Sequence, residues 1–303
     1  MPELSEVEIA SRQLRSWLSG RTIVRAKATS SRVIRGQRPQ RFASLAGHRF
    51  EEVERFGKWM ILAFDGGEGL VSHLGMTGKW IRRDAEKPGP SHVRATIDLD
   101  DGHAIDYRDP RLFGRLIRGT VEALHKLPAI RELGPDPLPG IDVDRLYENF
   151  HRSKRSLKEV LMDQRTLAGL GNIHVSESLH RAKLNPERLG TSLSRDETEI
   201  LARGIGDSLR FALKQEDSPD PITYVEEGGE NHFLVYDRAK KPCFTCGSAI
   251  LRVVQGGRST FYCPHCQPRR PSRAATGARQ RGAPAAPRKA PQGVKASKRS
   301  RAR

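Results

Sequence analysis

The chain has 303 residues, room for about two domains, and sets 53 Lys+Arg against 36 Asp+Glu for a formal net charge of +17. Its longest apolar run, Trp59-Met-Ile-Leu-Ala-Phe64, falls far short of the ~20 residues a membrane-spanning helix needs, and Glu3 to Arg15 has no apolar stretch of secretory character. Four cysteines are too few for a disulfide scaffold, so the expectation is a cytoplasmic, polyanion-binding protein with no membrane partner.

In chain order, Leu4, Val7, Leu14, Trp17 and Leu18 predict one amphipathic helix over 3–18, ending before Gly20. From about 21 to 120 the pattern changes to short strands: Thr22–Ala28, Trp59–Phe64, Ala95–Leu99 and Ala104–Tyr107. The last two are joined by the hairpin signal Asp101-Gly102. Strands at this spacing predict a β-sandwich or barrel. The Pro/Gly-rich stretch from Gly134 to Gly140 reads as a linker. Beyond it the period is helical, first at Val143, Leu146, Tyr147 and Phe150, then at Leu157, Val160 and Leu161. Ser194 and Glu197 have capping-box spacing ahead of Ile200, Leu201, Ile205 and Leu209. Residues 217–233 are non-periodic and read as a loop.

All four cysteines fall into Cys243-x2-Cys246 and Cys263-x2-Cys266, the spacing of a closed four-thiolate zinc site. Four thiolates leave no open coordination position, so one Zn2+ here is structural; the competing reading is a zinc-free redox pair. The intervening segment reads as a β-hairpin with Arg258 at or beside its tip. Beyond it, 267–303 holds twelve Lys/Arg and no acid, leaving only +5 for residues 1–266. A tail of Ala, Pro, Gly, Ser and Gln cannot bury enough apolar surface to offset its ordering entropy, and is expected to be disordered.

The N-terminus, Met1-Pro2-Glu3 with Glu6 one turn on, admits two readings. Proline and acids suit the first turn of any helix. Alternatively Met1 is removed and Pro2 becomes a secondary amine. With a reference pKa near 8, such an amine is partly neutral at cellular pH. It can then attack a carbon electrophile to form a Schiff base while neighbouring carboxylates move protons.

Six motifs then fall in order: Met1-Pro-Glu-Leu-Ser-Glu-Val-Glu8, Gly57-Lys58, His73-Leu-Gly-Met-Thr-Gly78, Asp109-Pro-Arg-Leu-Phe-Gly114, Gly169-Leu-Gly-Asn-Ile173 and Thr260-Phe-Tyr-Cys-Pro-His-Cys-Gln267. Over residues 1–267 the chain resembles the formamidopyrimidine-DNA glycosylase/endonuclease VIII family. The resemblance implies an α+β multidomain protein: an N-terminal helix and β-sandwich (1–125), a linker (126–140), a helix-two-turn-helix domain (141–225), a C-terminal zinc β-hairpin (226–267) and the basic tail (268–303). It implies a monomeric glycosylase/AP lyase acting on damaged double-stranded DNA at the nucleoid. Pro2 would be the nucleophile, Glu3 and Lys58 catalytic groups, and Glu3, Lys58 and Arg258 proton donors. Met76, Arg111 and Phe113 would fill the hole left by the extruded base; read without the family, Met76 and Phe113 pass for core residues. Asn172 and Arg258 would bind phosphates, the alternative for Asn172 being a helix N-cap. Lys158 and Glu177 are carried as additional positions.

Four features depart from the family pattern. Ser5 stands where proline is usual, Leu112 replaces a common arginine, His174 stands for tyrosine, and 217–233 is unlike the familiar lesion loop. The wording of Leu4 and His73–Gly78 favours oxidised purines such as 8-oxoguanine and formamidopyrimidines. The alternatives are an endonuclease VIII-like preference for oxidised pyrimidines and a non-catalytic zinc-ribbon DNA-binding protein. The last predicts loss of Pro2, Glu3 or Lys58, and all three are present.

Overall fold

The computed structural model describes residues 2–34, 36–216 and 231–269. Most of the expected 217–233 loop and nearly all of the expected tail lie outside the described residues.

Helix α1 (Leu4–Leu18) buries Leu4, Val7, Leu14 and Leu18 along one face, as its period requires. The chain then builds two antiparallel four-stranded sheets. One has the order β1-β6-β7-β5, from Ile23–Ala28, Val93–Leu99, His103–Arg108 and Lys79–Asp84. The other is β2-β3-β4-β8, from Phe50–Phe56, Trp59–Phe64, Glu68–His73 and Arg115–Thr120. Both sheets contribute to one core: Leu14 and Leu18 of α1 meet Met60 and Leu62 of β3, Ile97 of β6 and Tyr107 of β7. The sandwich expected from strand spacing is therefore present. The short helix α2 (Pro39–Ala43) adds Phe42 to its core.

The unbroken apolar run of β3 has a physical cause. Met60, Leu62 and Phe64 face the inter-sheet core, whereas Ile61 packs on the opposite side with Val71, Leu124 and Ile130. A strand covered on both faces loses the polar alternation of a half-solvated one. Leu124 and Ile130 come from two short helices, α3 (Val121–His125) and α4 (Pro128–Arg131), so part of the stretch expected to be linker is packed structure.

Four helices make the second core: α5 (Val143–His151), α6 (Leu157–Met162), α7 (Asn172–Arg181) and α8 (Arg195–Glu216). Leu146, Leu157, Leu179 and Ile205, one from each helix, converge there. The expected capping box opens α8, with Ser194 Oγ accepting Glu197 N–H at 3.1 Å and the Glu197 carboxylate accepting Ser194 N–H at 3.0 Å. Leu4 belongs to this helical core although it lies on α1, so the start of the chain is wedged between sandwich and helices. Strands β9 (Leu251–Gln255) and β10 (Arg258–Tyr262) form the C-terminal hairpin. Among the described residues, no helix is long and apolar enough to cross a membrane.

Candidate active site

Pro2 and Glu3 are buried where α1 meets the N-terminus of α7. The Glu3 carboxylate takes three backbone N–H donors from that terminus: Gly171 at 2.9 Å, Ile173 at 2.8 Å and His174 at 3.0 Å. A helix N-terminus carries about half a positive charge and unpaired donors, so a carboxylate from 168 residues away serves as its cap. Asn172 does not take that role; it is the first helical residue, and Gly171 occupies the N-cap position. Glycine is required there by close approach, since a Cβ on Gly171 would lie 2.3 Å from Glu3 Oε1. Glu6 Oε2 in turn accepts the Glu3 N–H at 2.8 Å. Burial, then the Glu3 charge, push the Glu6 carboxyl above the usual range.

Lys58 lies in the two-residue turn joining β2 to β3, where Phe56 pairs with Trp59, after Gly57 in the left-handed region (φ 56°). Burial lowers its affinity for a proton; Glu3 and Glu6 oppose that, and Arg258 reinforces it. Arg258 sits at the exposed tip of the C-terminal hairpin, paired with Gln255 across Gly256-Gly257. Beneath it, Lys158 is 1% exposed and donates from Nζ to Ser259 O at 2.9 Å and to Thr260 Oγ1. Burial and the Arg258 charge bring Lys158 down to about 8, against the pull of Glu3 and Glu159. Asn172 Nδ2 donates to the same Ser259 carbonyl at 2.8 Å. Pro2, Glu3, Glu6, Lys58, Lys158, Asn172 and Arg258 thus gather from remote stretches of chain.

The two loops carrying Met76 and Arg111/Phe113 are pressed together. A Cβ on Gly75 would lie 2.4 Å from the Phe113 carbonyl carbon. Buried Asp109 organises both: its carboxylate accepts Thr77 Oγ1 at 2.8 Å, Arg111 N at 3.2 Å and Gly114 N at 2.7 Å. The Arg111 guanidinium lies 5.2 Å from the Phe113 ring centroid. Phe113 is 47% exposed, so it is not the core residue its type alone allows. Leu112 points the other way and packs on the sandwich core, with a left-handed φ of 58°. At the head of the first loop, His73 Nδ1 accepts Gly75 N–H at 3.1 Å. Burial, Arg115 and Lys58 push His73 down to about 4, so it is neutral and able to accept.

The four cysteine sulfurs lie within 4.8 Å of one another, with Cys243 and Cys266 Sγ 3.9 Å apart and Cys246 and Cys263 Sγ 3.4 Å apart. Tetrahedral zinc with ~2.3 Å bonds to sulfur fits such a cluster.

Family models match along the chain in the same order: a formamidopyrimidine-DNA glycosylase N-terminal domain over 1–116, the H2TH domain of that enzyme over 133–220, and a zinc finger found in FPG and IleRS over 240–269. The formamidopyrimidine-DNA glycosylase of Roseiflexus sp. is 37% identical, over 88% of this chain and 100% of the relative. That of Geobacter sulfurreducens is 34% identical over the same shares. The chain belongs to the formamidopyrimidine-DNA glycosylase family. Membership makes it a DNA-repair enzyme, a bifunctional glycosylase and AP lyase, with a zinc finger that binds one Zn2+. Among solved members, MutM (Fpg) of Thermus thermophilus superposes with a TM-score of 0.75 at 35% identity, covering 88% of this chain and 98% of that one. The Lactococcus lactis Fpg (MutM) complex with Fapy-dG-containing DNA gives 0.79 at 29% identity, with 88% and 100% covered.

Two carboxylates in this formamidopyrimidine-DNA glycosylase family member escaped a firm role from sequence. Asp109 opens a recognised motif, but its work is with the Thr77 hydroxyl of the facing loop and two backbone N–H groups. Glu177, on α7, accepts N–H bonds from Leu234, Val235 and Tyr236 at 2.9, 2.9 and 3.0 Å. It anchors the chain that follows 217–230. An acid inside a motif or on a helix face was the available signal; apart from the Thr77 hydroxyl the partners are backbone atoms, which leave no mark in a side-chain pattern.

Proposed function

We propose that this enzyme excises oxidised purines, 8-oxoguanine and formamidopyrimidines, from double-stranded DNA through a Schiff base on the Pro2 amine. The observation that carries the reading is the buried juxtaposition of Pro2 with the Glu3 carboxylate on the α7 terminus. After Met1 removal, the Pro2 amine is desolvated, which favours its neutral, nucleophilic form. It attacks C1′ of the damaged nucleotide, the base leaves, and the resulting iminium acidifies the adjacent C2′ proton. Loss of that proton drives β-elimination, and δ-elimination follows. Glu3, fixed by three donors, exchanges protons with the deoxyribose. Lys58 and Arg258 bracket the reacting phosphates and supply protons to departing groups.

Extruding a base costs a few kcal/mol of stacking; Met76, Arg111 and Phe113, on facing loops, fill the vacated space. Asn172 keeps one Nδ2 hydrogen for a phosphate oxygen after bonding Ser259. The enzyme works as a cytoplasmic monomer at the nucleoid, with the twelve tail cations adding a salt-sensitive, sequence-blind attraction. The purine preference draws support from relatives: the Lactococcus lactis enzyme has been solved with Fapy-dG-containing DNA, and a MutM with DNA containing carbocyclic 8-oxo-G. A second reading, toward oxidised pyrimidines, is favoured by another Lactococcus lactis complex with DNA containing an oxidised pyrimidine.

Borohydride trapping tests the chemistry. Duplex bearing 8-oxoguanine opposite cytosine yields a covalent complex, and blocking the N-terminal amine abolishes it. Cleavage that survives the block removes Pro2 as nucleophile; binding without trapping removes the Schiff-base reading. Competition between 8-oxoguanine and an oxidised pyrimidine decides the lesion class.

A further inference from the structure

Two departures from the family pattern, Ser5 and His174, touch each other. Ser5 Oγ lies 2.9 Å from His174 Nε2, and the other ring nitrogen, Nδ1, lies 3.0 Å from Ser208 Oγ on α8. At the opposite end, Ser5 Oγ is 3.2 Å from Glu6 Oε2. The four residues form one buried chain: Ser5 is 1% exposed, His174 2%, Ser208 3% and Glu6 8%. A proline at 5 would offer no hydroxyl, and the chain would end at the imidazole.

A hydroxyl has one proton to donate, and a neutral imidazole has one donor and one acceptor nitrogen. Those counts permit two complete patterns. With Glu6 ionised, Ser208 donates to Nδ1, Nε2–H donates to Ser5 Oγ, and Ser5 donates to the carboxylate. With Glu6 protonated every bond reverses: Glu6 donates to Ser5 Oγ, Ser5 donates to Nε2, and Nδ1–H donates to Ser208 Oγ. Neither pattern leaves Glu6 or a ring nitrogen unpartnered. A buried carboxyl without its partner costs ~1–3 kcal/mol, more when charged.

We infer that Ser5, His174 and Ser208 are positioning residues, a reversible relay that follows the protonation of Glu6 and holds that carboxyl in place in both charge states beside Pro2 and Glu3. The proton balance closes. When Glu6 deprotonates through the relay, its proton moves to Ser5 Oγ, that of Ser5 to Nε2, that of Nδ1 to Ser208 Oγ, and that of Ser208 to water. One proton leaves and the imidazole stays neutral. Burial keeps it so: it pushes His174 below the ordinary imidazole range, with Lys58 and Arg181 adding to the shift and Glu3 opposing it. Glu6 itself faces Glu3 and Lys58.

The inference rests on the Schiff-base reading for its use in catalysis, and not for its existence. The test is 15N NMR of the histidine-labelled, zinc-loaded full chain from about pH 5 to 8, with Glu carboxyl carbons followed in parallel. His174 is expected to stay neutral and to change from the Nδ1–H to the Nε2–H tautomer at the midpoint of Glu6 titration. Ser5→Ala should uncouple the two, and Ser5→Thr should restore the coupling. One tautomer throughout, an imidazolium at the Glu6 midpoint, or a switch that survives Ser5→Ala overturns the relay. In borohydride trapping, Ser5→Ala should lose roughly tenfold in rate at alkaline pH, where the missing hydrogen bond was to a charged carboxylate, and less at acid pH, where Glu6 is neutral. An equal loss at all pH, or the same loss in Ser5→Thr, identifies a structural role instead. Absence of trapping by the unmodified enzyme refutes the Schiff-base reading while leaving the tautomer result standing.

Discussion

Glu3 and Phe113 are both assigned to the work of removing a base, yet the fold holds them in opposite ways. Glu3 is 2% exposed and fastened by three backbone donors of one helix, whereas Phe113 is 47% exposed and shaped indirectly, through Asp109 and the pressed loops beneath it. A proton-transfer group gains from fixed geometry, because small displacements cost large factors in rate. A wedge that enters the duplex only when a base leaves it needs a fixed base and a free tip. The difference locates stability at the carboxylate and adaptability at the rim, and each can be attacked separately.

The largest effect is expected at the fixed end. Glu3→Gln retains shape but removes the charge, so single-turnover excision should fall ~10²–10⁴-fold. It also removes a carboxylate–helix interaction of up to ~2 kcal/mol, so the melting temperature should fall with it. A variant with full activity would contradict the role given to the cradle. Removing zinc with a chelator comes next. The hairpin then loses its closure, Ser259 moves away from Lys158 and Asn172, and DNA affinity measured by titration should drop ~100-fold while the sandwich circular dichroism persists. Undiminished affinity would mean that Arg258 and the hairpin do not bind DNA.

At the free end, Phe113→Ala should slow excision roughly tenfold and leave the melting temperature nearly unchanged, as for exposed positions away from caps and cores. A large thermal loss there would erase the contrast between rim and base. The smallest effect concerns His73. Its folded-state value of about 4 lies below the ordinary 6.5, so the unfolded chain binds the extra proton between those limits. Stability from this group is complete above about 6.5 and is lost as pH falls toward 4. Loss of the Gly75 N–H bond to Nδ1 is worth ~1 kcal/mol, roughly 2–4 °C. The melting difference between the parent enzyme and His73→Gln should therefore shrink across that window, and a difference independent of pH would exclude the titration.

Much of this architecture is legible from side-chain pattern. Period 3.6 marks α1, α5 and α8, Asp101-Gly102 marks a hairpin, and four cysteines mark the metal site, because each is a local rule written in adjacent residues. The β2 strand is less visible: in Phe50–Phe56 only Phe50 and Val53 are buried, and the exposed positions between them are both glutamates. Tertiary pairing with β3 completes it. The site divides the same way. Pro2, Glu3 and Lys58 come from motifs, whereas the cradle beneath Glu3 and the Glu177 anchor depend on backbone N–H groups brought from elsewhere, and the Asp109 knot on the Thr77 hydroxyl of a facing loop. Ser5 and His174 stand out singly in the sequence as departures; that they are partners across 169 residues appears only once α1 is laid against α7.

Helix α7 has one more consequence. Asn172 is joined to β10, His174 to α1 and α8, Glu177 to residues 234–236, and His180 to Gln267 through a 3.0 Å bond. These attachments recur every two or three residues and face different neighbours, so the helix behaves as an axle on which distant segments are keyed. An inserted residue near its start would rotate everything downstream by about 100° and advance it ~1.5 Å. That shift would unkey hydroxyl, carboxylate and imidazole contacts together, whereas substitutions at the same positions would release them singly. The length of α7 is thereby a constraint of its own, separate from the identity of any residue along it.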